Sequence, residues 1–179
     1  MAGLCTLVVS GAPLAERSPE IAAGLVAAGW RVRAVMTPSA ASWVDAAVLA
    51  EAAGHPVRAE HRPVDAAKNR ERPAVVVVAP ITFNTVSKLA VGIADTYAHS
   101  TLCEALGDGV SILAVPMVNN LLWGHPAWAR NVRLLTEAGV RWLSIHDGTI
   151  GEPQPVLSGT GDEVVKRFEP GWITGQLRL

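Results

Sequence analysis

The chain has 179 residues, and because 50% are hydrophobic and only 17% charged it can bury one domain with a sizeable core. Its 15 basic and 16 acidic residues leave a net charge of -1 with no Lys/Arg tail, which argues against a nucleic-acid partner, and no apolar run reaches the roughly 18 residues that span a membrane. The N-terminus lacks a basic segment followed by a cleavage site, and the two cysteines, Cys5 and Cys103, form no C-x-x-C pair, so the reading is a cytoplasmic protein without structural disulfides.

Leu4 to Ser10 reads as a first strand, ending in Gly11-Ala12-Pro13. Ser18-Pro19 is a helix start, a serine cap with proline at the first helical position, and Gly29 ends that helix after about Ala28. Arg31 to Met36 is a second strand, followed by Thr37-Pro38-Ser39 and a helix from about Ala40 to Ala53 that stops at Gly54. His55 to Arg72 is polar and irregular, with room for one short strand. The apolar strand Ala74 to Ala79 then leads into Pro80 to Lys88, which opens a helix running on to Gly92 and Asp95. Asn84, Lys88, Gly92 and Asp95 recur at helical spacing and share one face; Val86, Leu89, Ala90, Ile93 and Tyr97 take the opposite, apolar face. A helix over Ser100 to Leu106, a strand over Ser111 to Pro116, a helix between Pro126 and Gly139 and a strand over Arg141 to Ile145 follow. His146 to Gly161, with its glycines and prolines, is a loop of the length that lids and binding elements have, and a short helix over Asp162 to Phe168 closes the chain.

Strands that read as continuous apolar runs and alternate with helices predict a parallel sheet covered on both faces. The chain contains no phosphate-binding glycine loop, no zinc-like Cys/His spacing and no G-x-S-x-G, which leaves metal or serine-nucleophile catalysis without support. Three loops instead offer hydroxyls and backbone N–H groups at helix starts on one sheet edge: Ser10-Gly11-Ala12, Thr37-Pro38-Ser39 and Thr82 to Thr85. Each alone reads as an ordinary cap; together they point to a phosphorylated cofactor. A second constellation, Pro116 to Pro126, places Asn119, Asn120, Trp123 and His125 between a strand and a helix. It reads equally as a capped turn with a packed indole, or as a site where Asn119 donates N–H to a substrate carboxylate and Trp123 walls the pocket. Most of the six tryptophans read as core or subunit packing.

These two constellations resemble the homo-oligomeric flavin-containing cysteine decarboxylases, the peptidyl-cysteine type in particular. The family's P-A-S-A-N-T motif stands here as Pro80-Ile81-Thr82-Phe83-Asn84-Thr85, its K-x-x-x-G-x-x-D continuation as Lys88, Gly92 and Asp95, and its P-x-M-N-x-x-M-W motif as Pro116-Met117-Val118-Asn119-Asn120-Leu121-Leu122-Trp123. Ile81 and Phe83 replace alanines, Val118 and Leu122 replace methionines, and Pro13-Leu14 stands where many relatives carry a serine.

The resemblance implies a single Rossmann-like, flavodoxin-like α/β domain over residues 1–179, with a substrate clamp at about 146–161. It implies FMN as cofactor, with FAD the alternative, held by Ser10, Gly11, Ser39, Thr82, Asn84 and Thr85. Asn119, Met117 and Trp123 are the implied substrate contacts, and assembly as a homotrimer or homododecamer is implied as well. The implied reaction is oxidative decarboxylation of the C-terminal cysteine of a precursor peptide: the flavin takes hydride from the β-carbon, and carbon dioxide leaves to give an aminoenethiol. Asn119 anchors the carboxylate, and a histidine before the third strand, His61 or His55, serves as the base. The clamp carries no cysteine, so the product stays an enethiol. The alternatives are a phosphopantothenoylcysteine decarboxylase and a non-catalytic flavin-binding regulatory protein.

Overall fold

The computed structural model describes residues 3–60 and 71–177. Five strands, β1 (Leu4–Val9), β2 (Arg31–Met36), β3 (Val75–Ile81), β4 (Ser111–Pro116) and β5 (Val140–Trp142), form one sheet. Every neighbouring pair is parallel, in the order β2-β1-β3-β4-β5. This is the flavodoxin-like order. Winding reverses between β1 and β3, and ligands bind outside the carboxyl ends of the strands at such a reversal. β1 and β3 are buried along their whole length, which is why they read as unbroken apolar runs. Successive residues supply two different cores: Leu7, Val77 and Leu113 face one, Val8, Val78 and Ala114 the other.

The first core is closed by α1 (Ser18–Ala27), α2 (Ala46–Ala53), α7 (Gly161–Arg167) and α8 (Gly171–Thr174). The second is closed by α3 (Phe83–Val91), α4 (Tyr97–Gly107) and α6 (Ala127–Glu137), with the single turn α5 (Asn120–Trp123) ahead of α6. Helices cover both faces, as the alternation of elements predicted. No helix among the described residues is long and apolar enough to cross a membrane.

Several boundaries differ from the sequence expectation, each for a local reason. The helix expected over Ala40 to Ala53 is two pieces: a 3-10 turn over Pro38–Ser42, then α2 from Ala46. Asp45 starts α2 because its carboxylate accepts the Ala47 N–H at 2.7 Å, a cap that requires extended backbone at residue 45. α3 stops at Val91 because Gly92 takes the left-handed conformation (φ 73°) that terminates helices. Asp95 therefore does not continue the helical stripe, Ile93 is exposed, and Tyr97 begins α4, capped by Thr96. α4 starts before the expected Ser100, β5 is shorter than the expected Arg141 to Ile145, and α5 and α8 are single turns with no periodic signal. Between His55 and Glu60 the expected strand amounts to one bridge, Val35 to Arg58.

The polar stripe survives as a tertiary contact. Lys88 Nζ donates to Asp95 Oδ2 at 2.6 Å, and His99 Nδ1 lies 2.9 Å from both Asp95 Oδ1 and Thr96 Oγ1, joining α3 to α4. His99 is buried, and its Nε2 has no partner among the described residues. With the proton on Nδ1 that nitrogen is a bare lone pair; a second proton would leave an N–H buried without an acceptor. Burial first, and Lys88 second, hold the His99 imidazole below its ordinary value, against the opposing pull of Asp95. The unfolded chain then binds the proton more readily than the folded one. Stability conferred by neutral His99 is complete above about pH 6.5 and drains away as pH falls below it. His99→Gln should therefore flatten the fall in melting temperature between about pH 7 and pH 5.5. Equal slopes for both proteins would show that His99 titrates normally.

Candidate functional site

The loops leaving β1, β2 and β3 meet at the carboxyl edge of the sheet. Ser10 N–H donates to the Pro80 carbonyl at 3.1 Å, and Ser10 Oγ lies 3.0 Å from Thr85 Oγ1. Thr82 caps α3: its hydroxyl accepts the Thr85 N–H at 3.4 Å and donates to Thr85 Oγ1 at 3.2 Å. This chain of hydroxyls pins the first loop to the start of α3. The loop after β2 is held just as closely: a Cβ at Gly11 would stand 2.6 Å from the Ser39 carbonyl oxygen, and Ser39 Oγ lies 3.1 Å from Thr37 Oγ1.

The loops border a cavity of about 650 Å³, within the range of cofactor sites. Its lining comprises Gly11 to Pro13, Ser39, Trp43, Thr82 to Asn84, Met117 to Asn119, Leu122, Val156 to Gly159, Gly161 and Asp162. Gly11, Ser39, Thr82 and Asn84, expected at the cofactor, all face it. Ser10 and Thr85 are 1% exposed and lie behind the wall, holding the loops to each other. The residues that sequence reasoning missed are Trp43 and Asp162; Val156, Leu157, Ser158, Gly159 and Gly161 belong to the segment expected as the clamp. Trp43 follows a turn whose direction has no sequence signal, and Asp162 lies just beyond the expected clamp, far along the chain from the other loops.

Asn119 lines the cavity and caps α5. Its Oδ1 accepts the N–H groups of Leu121 at 3.1 Å and Leu122 at 2.9 Å, which orients the amide and leaves the Nδ2 donors for the cavity. Met117 also lines it, with its sulfur accepting the Leu14 N–H at 3.2 Å. The expected clamp returns to this point. Val156 N–H donates to the Val118 carbonyl and Asn120 N–H to the Val156 carbonyl, each at 2.9 Å, and Asn120 Oδ1 accepts the Ser158 N–H at 2.8 Å.

Trp123 departs from its expected place. Its ring packs on Trp128 with centroids 4.6 Å apart, and Trp128 stacks on Phe83 at 5.7 Å. Of these three rings Phe83 faces the cavity, and Trp123 is not part of the lining. The large residue that replaced a small one in the first motif has taken the wall position, with the tryptophans behind it.

Of the two histidines considered as the base, His61 lies outside the described residues. His55 borders a recess with Leu4 and Arg31, at the amino ends of β1 and β2, so within one subunit it stands at the end of the sheet opposite the cavity. The α2 helix runs antiparallel to the strands and carries its last residues away from the site. His125 lies edge-on to Phe83 at 5.4 Å, with Nδ1 accepting the Ala127 N–H at 3.1 Å. Neither cysteine is at the cavity. Cys5 is in β1, where burial pushes its thiol up to about 12, and burial likewise raises that of Cys103 on α4.

The donors present suit a flavin phosphate. Thr82 caps Thr85, leaving the Phe83 and Asn84 N–H groups at the start of α3 with no intrahelical partner, and the Ser39 hydroxyl and Asn84 amide stand beside them. Trp43, Phe83, Met117, Val118 and Leu122 provide an apolar surface for a planar ring. The family model described as Flavoprotein matches residues 4–164. The chain belongs to the flavoprotein family.

Among curated relatives, the coenzyme A biosynthesis bifunctional protein CoaBC of Bacillus subtilis is 30% identical over 151 residues, covering 79% of this chain and 36% of that protein. The protein of the same description from Thermococcus kodakarensis is 30% identical over 142 residues, covering 76% and 35%. This flavoprotein chain thus spans about a third of the length of the curated relatives it matches. Among solved structures, the FMN-dependent cysteine decarboxylase TvaF from thioviridamide biosynthesis is 28% identical with a TM-score of 0.67, covering 77% of this chain and 88% of that one. Family and relatives agree with the flavin, and with FMN as its form. They carry the resemblance to cysteine decarboxylases at the level of the superfamily and divide between proteins of coenzyme A biosynthesis and of thioviridamide biosynthesis.

Proposed function

We propose that this flavoprotein catalyses the oxidative decarboxylation of an acylated cysteine with a free carboxylate and releases the enethiol. The observation that carries this reading is a flavin-sized cavity that presents an oriented amide donor, Asn119, and contains no thiol. Bound FMN supplies a two-electron acceptor for the cysteine β-carbon. Asn119 Nδ2 holds the carboxylate, and Phe83, Val118 and Leu122 keep water from it. The negative charge left when carbon dioxide departs is carried by the substrate's sulfur, and its thiol proton passes to a base, for which His61 is the proposed group. With Cys5 and Cys103 on other elements, no protein thiol returns electrons to the product.

Two acyl groups have support. The CoaBC relatives favour phosphopantothenoylcysteine; the likeness to TvaF and the thiol-free cavity favour the C-terminal cysteine of a peptide. Subunit assembly as a trimer or dodecamer belongs to the same proposal, supported by Leu121 and Leu157, which stand 74% and 63% exposed near the cavity. The test is mass spectrometry of FMN-loaded protein with each substrate. A loss of about 46 Da, carbon dioxide plus two hydrogens, is the expected result, against about 44 Da if the enethiol is reduced back. Failure of both substrates with flavin bound would overturn the enzyme reading in favour of a flavin-binding protein.

A further inference from the structure

The cavity is unusual in its charge. Among the described residues that line it there is no lysine, arginine or histidine, and Asp162 is the single ionisable side chain. Asp162 opens α7, directly after Gly161. A Cβ placed on Gly161 would touch Pro13 Cγ at 3.4 Å and Met117 Cε at 3.5 Å, so the backbone carrying Asp162 rests against the cavity wall. None of the ion pairs among the described residues includes Asp162. The nearby guanidinium of Arg17 is committed elsewhere: it pairs with Glu20 and donates to the carbonyls of Val165 and Phe168 at the other end of α7. Asp162 is exposed and borders the cavity, and its charge reaches an occupant of the cavity without an ion-pair partner among the described residues.

Resting on the acylated-cysteine reading above, we propose that Asp162 sets the charge of the acyl tail: the site takes a cysteine whose tail is neutral or cationic, in preference to one that carries a phosphate. A phosphorylated tail would bring about two negative charges toward this carboxylate, with no cation among the described lining residues to meet them. A lysine or arginine near the end of a peptide would find its counter-charge there. Asp162 is a specificity-determining residue in this scheme and takes no part in electron or proton transfer.

The test uses non-reacting probes, so that it reads selection apart from chemistry. Three short peptides end in serine in place of cysteine and carry lysine, alanine or phosphoserine at the preceding position. Their binding to FMN-loaded protein is measured by calorimetry for the wild type, Asp162→Asn and Asp162→Ala. The wild type should bind the lysine peptide roughly tenfold or more tightly than the phosphoserine peptide. In both variants the ratio should fall to about threefold or less, and raising salt should compress it in the wild type alone. An unchanged ratio in the variants overturns the proposal, and so does the absence of binding by all three peptides. The same peptides ending in cysteine, followed by mass spectrometry, separate this result from the catalytic reading. Charge selection without mass loss would sink the decarboxylase and leave the role of Asp162 standing. Mass loss with no dependence on Asp162 would do the reverse.

Discussion

Asn119→Asp is expected to yield a folded protein that binds FMN and has lost roughly a hundred- to thousandfold in kcat/KM. The substitution separates the two duties of this residue. As the cap of α5, Asn119 uses only Oδ1, which accepts the Leu121 and Leu122 N–H groups. An aspartate accepts the same bonds, and its charge suits a helix N-terminus. In its proposed role as carboxylate anchor Asn119 would use Nδ2, and an aspartate offers no donor there. A charge-assisted hydrogen bond of about 1.5–3 kcal/mol is replaced by repulsion between two carboxylates. The expected signature is unchanged melting temperature and flavin content, with turnover of the cysteine substrate nearly abolished. Asn119→Ser, which also caps but brings no repulsion, should lose less, roughly ten- to hundredfold. Retention of activity by the aspartate variant would show that the carboxylate is held elsewhere and that Asn119 serves the fold alone.

Gly11→Ala should weaken FMN binding by at least tenfold while leaving the sheet intact. Its Cβ would lie 2.6 Å from the Ser39 carbonyl oxygen and 2.8 Å from the Ser39 carbonyl carbon. These are backbone atoms, so no side-chain rotation relieves the contact, and the loops after β1 and β2 must move apart. Both loops lie outside the ordered ends of their strands, so the displacement falls on the donors and on the cavity wall. Gly171→Ala is the control, since a Cβ there meets nothing within 4 Å. Quenching of FMN fluorescence on binding reads both affinities. Equal affinity in the Gly11 and Gly171 variants would place the flavin away from this pair of loops.

The two variants fail in different ways because the cavity is assembled from two kinds of information. The donors at the first edge stand immediately after apolar strands, and the sequence shows both the strand and the helix start that follows. Thr82, Asn84 and Asn119 were legible on that ground, since a hydroxyl or amide at such a junction is a cap whatever else it does. The hydrogen-bond accounting that separates facing residues from supporting ones was not legible. Ser10 and Thr85 satisfy each other at 3.0 Å and are lost to the cavity, and Trp123 gives its place to Phe83 because Trp128 lies between the two elements.

By itself the sequence determined the architecture. Alternating apolar runs and helical periods fixed a parallel sheet with two covered faces, and the caps and glycines set most boundaries to within a few residues, because these are interactions between near neighbours in the chain. Where local signals competed, at Asp45 and Gly92, a single cap or left-handed residue overrode the longer pattern. The contents of the cavity were decided only by tertiary structure. Trp43, Leu157 and Asp162 are brought to one place by the return of the chain across β4, through the bonds of Val156 to Val118 and Asn120. The charge of the site, and the position of His55 at the far end of the sheet, follow from that packing, since no periodicity records which residues more than a hundred positions apart will meet.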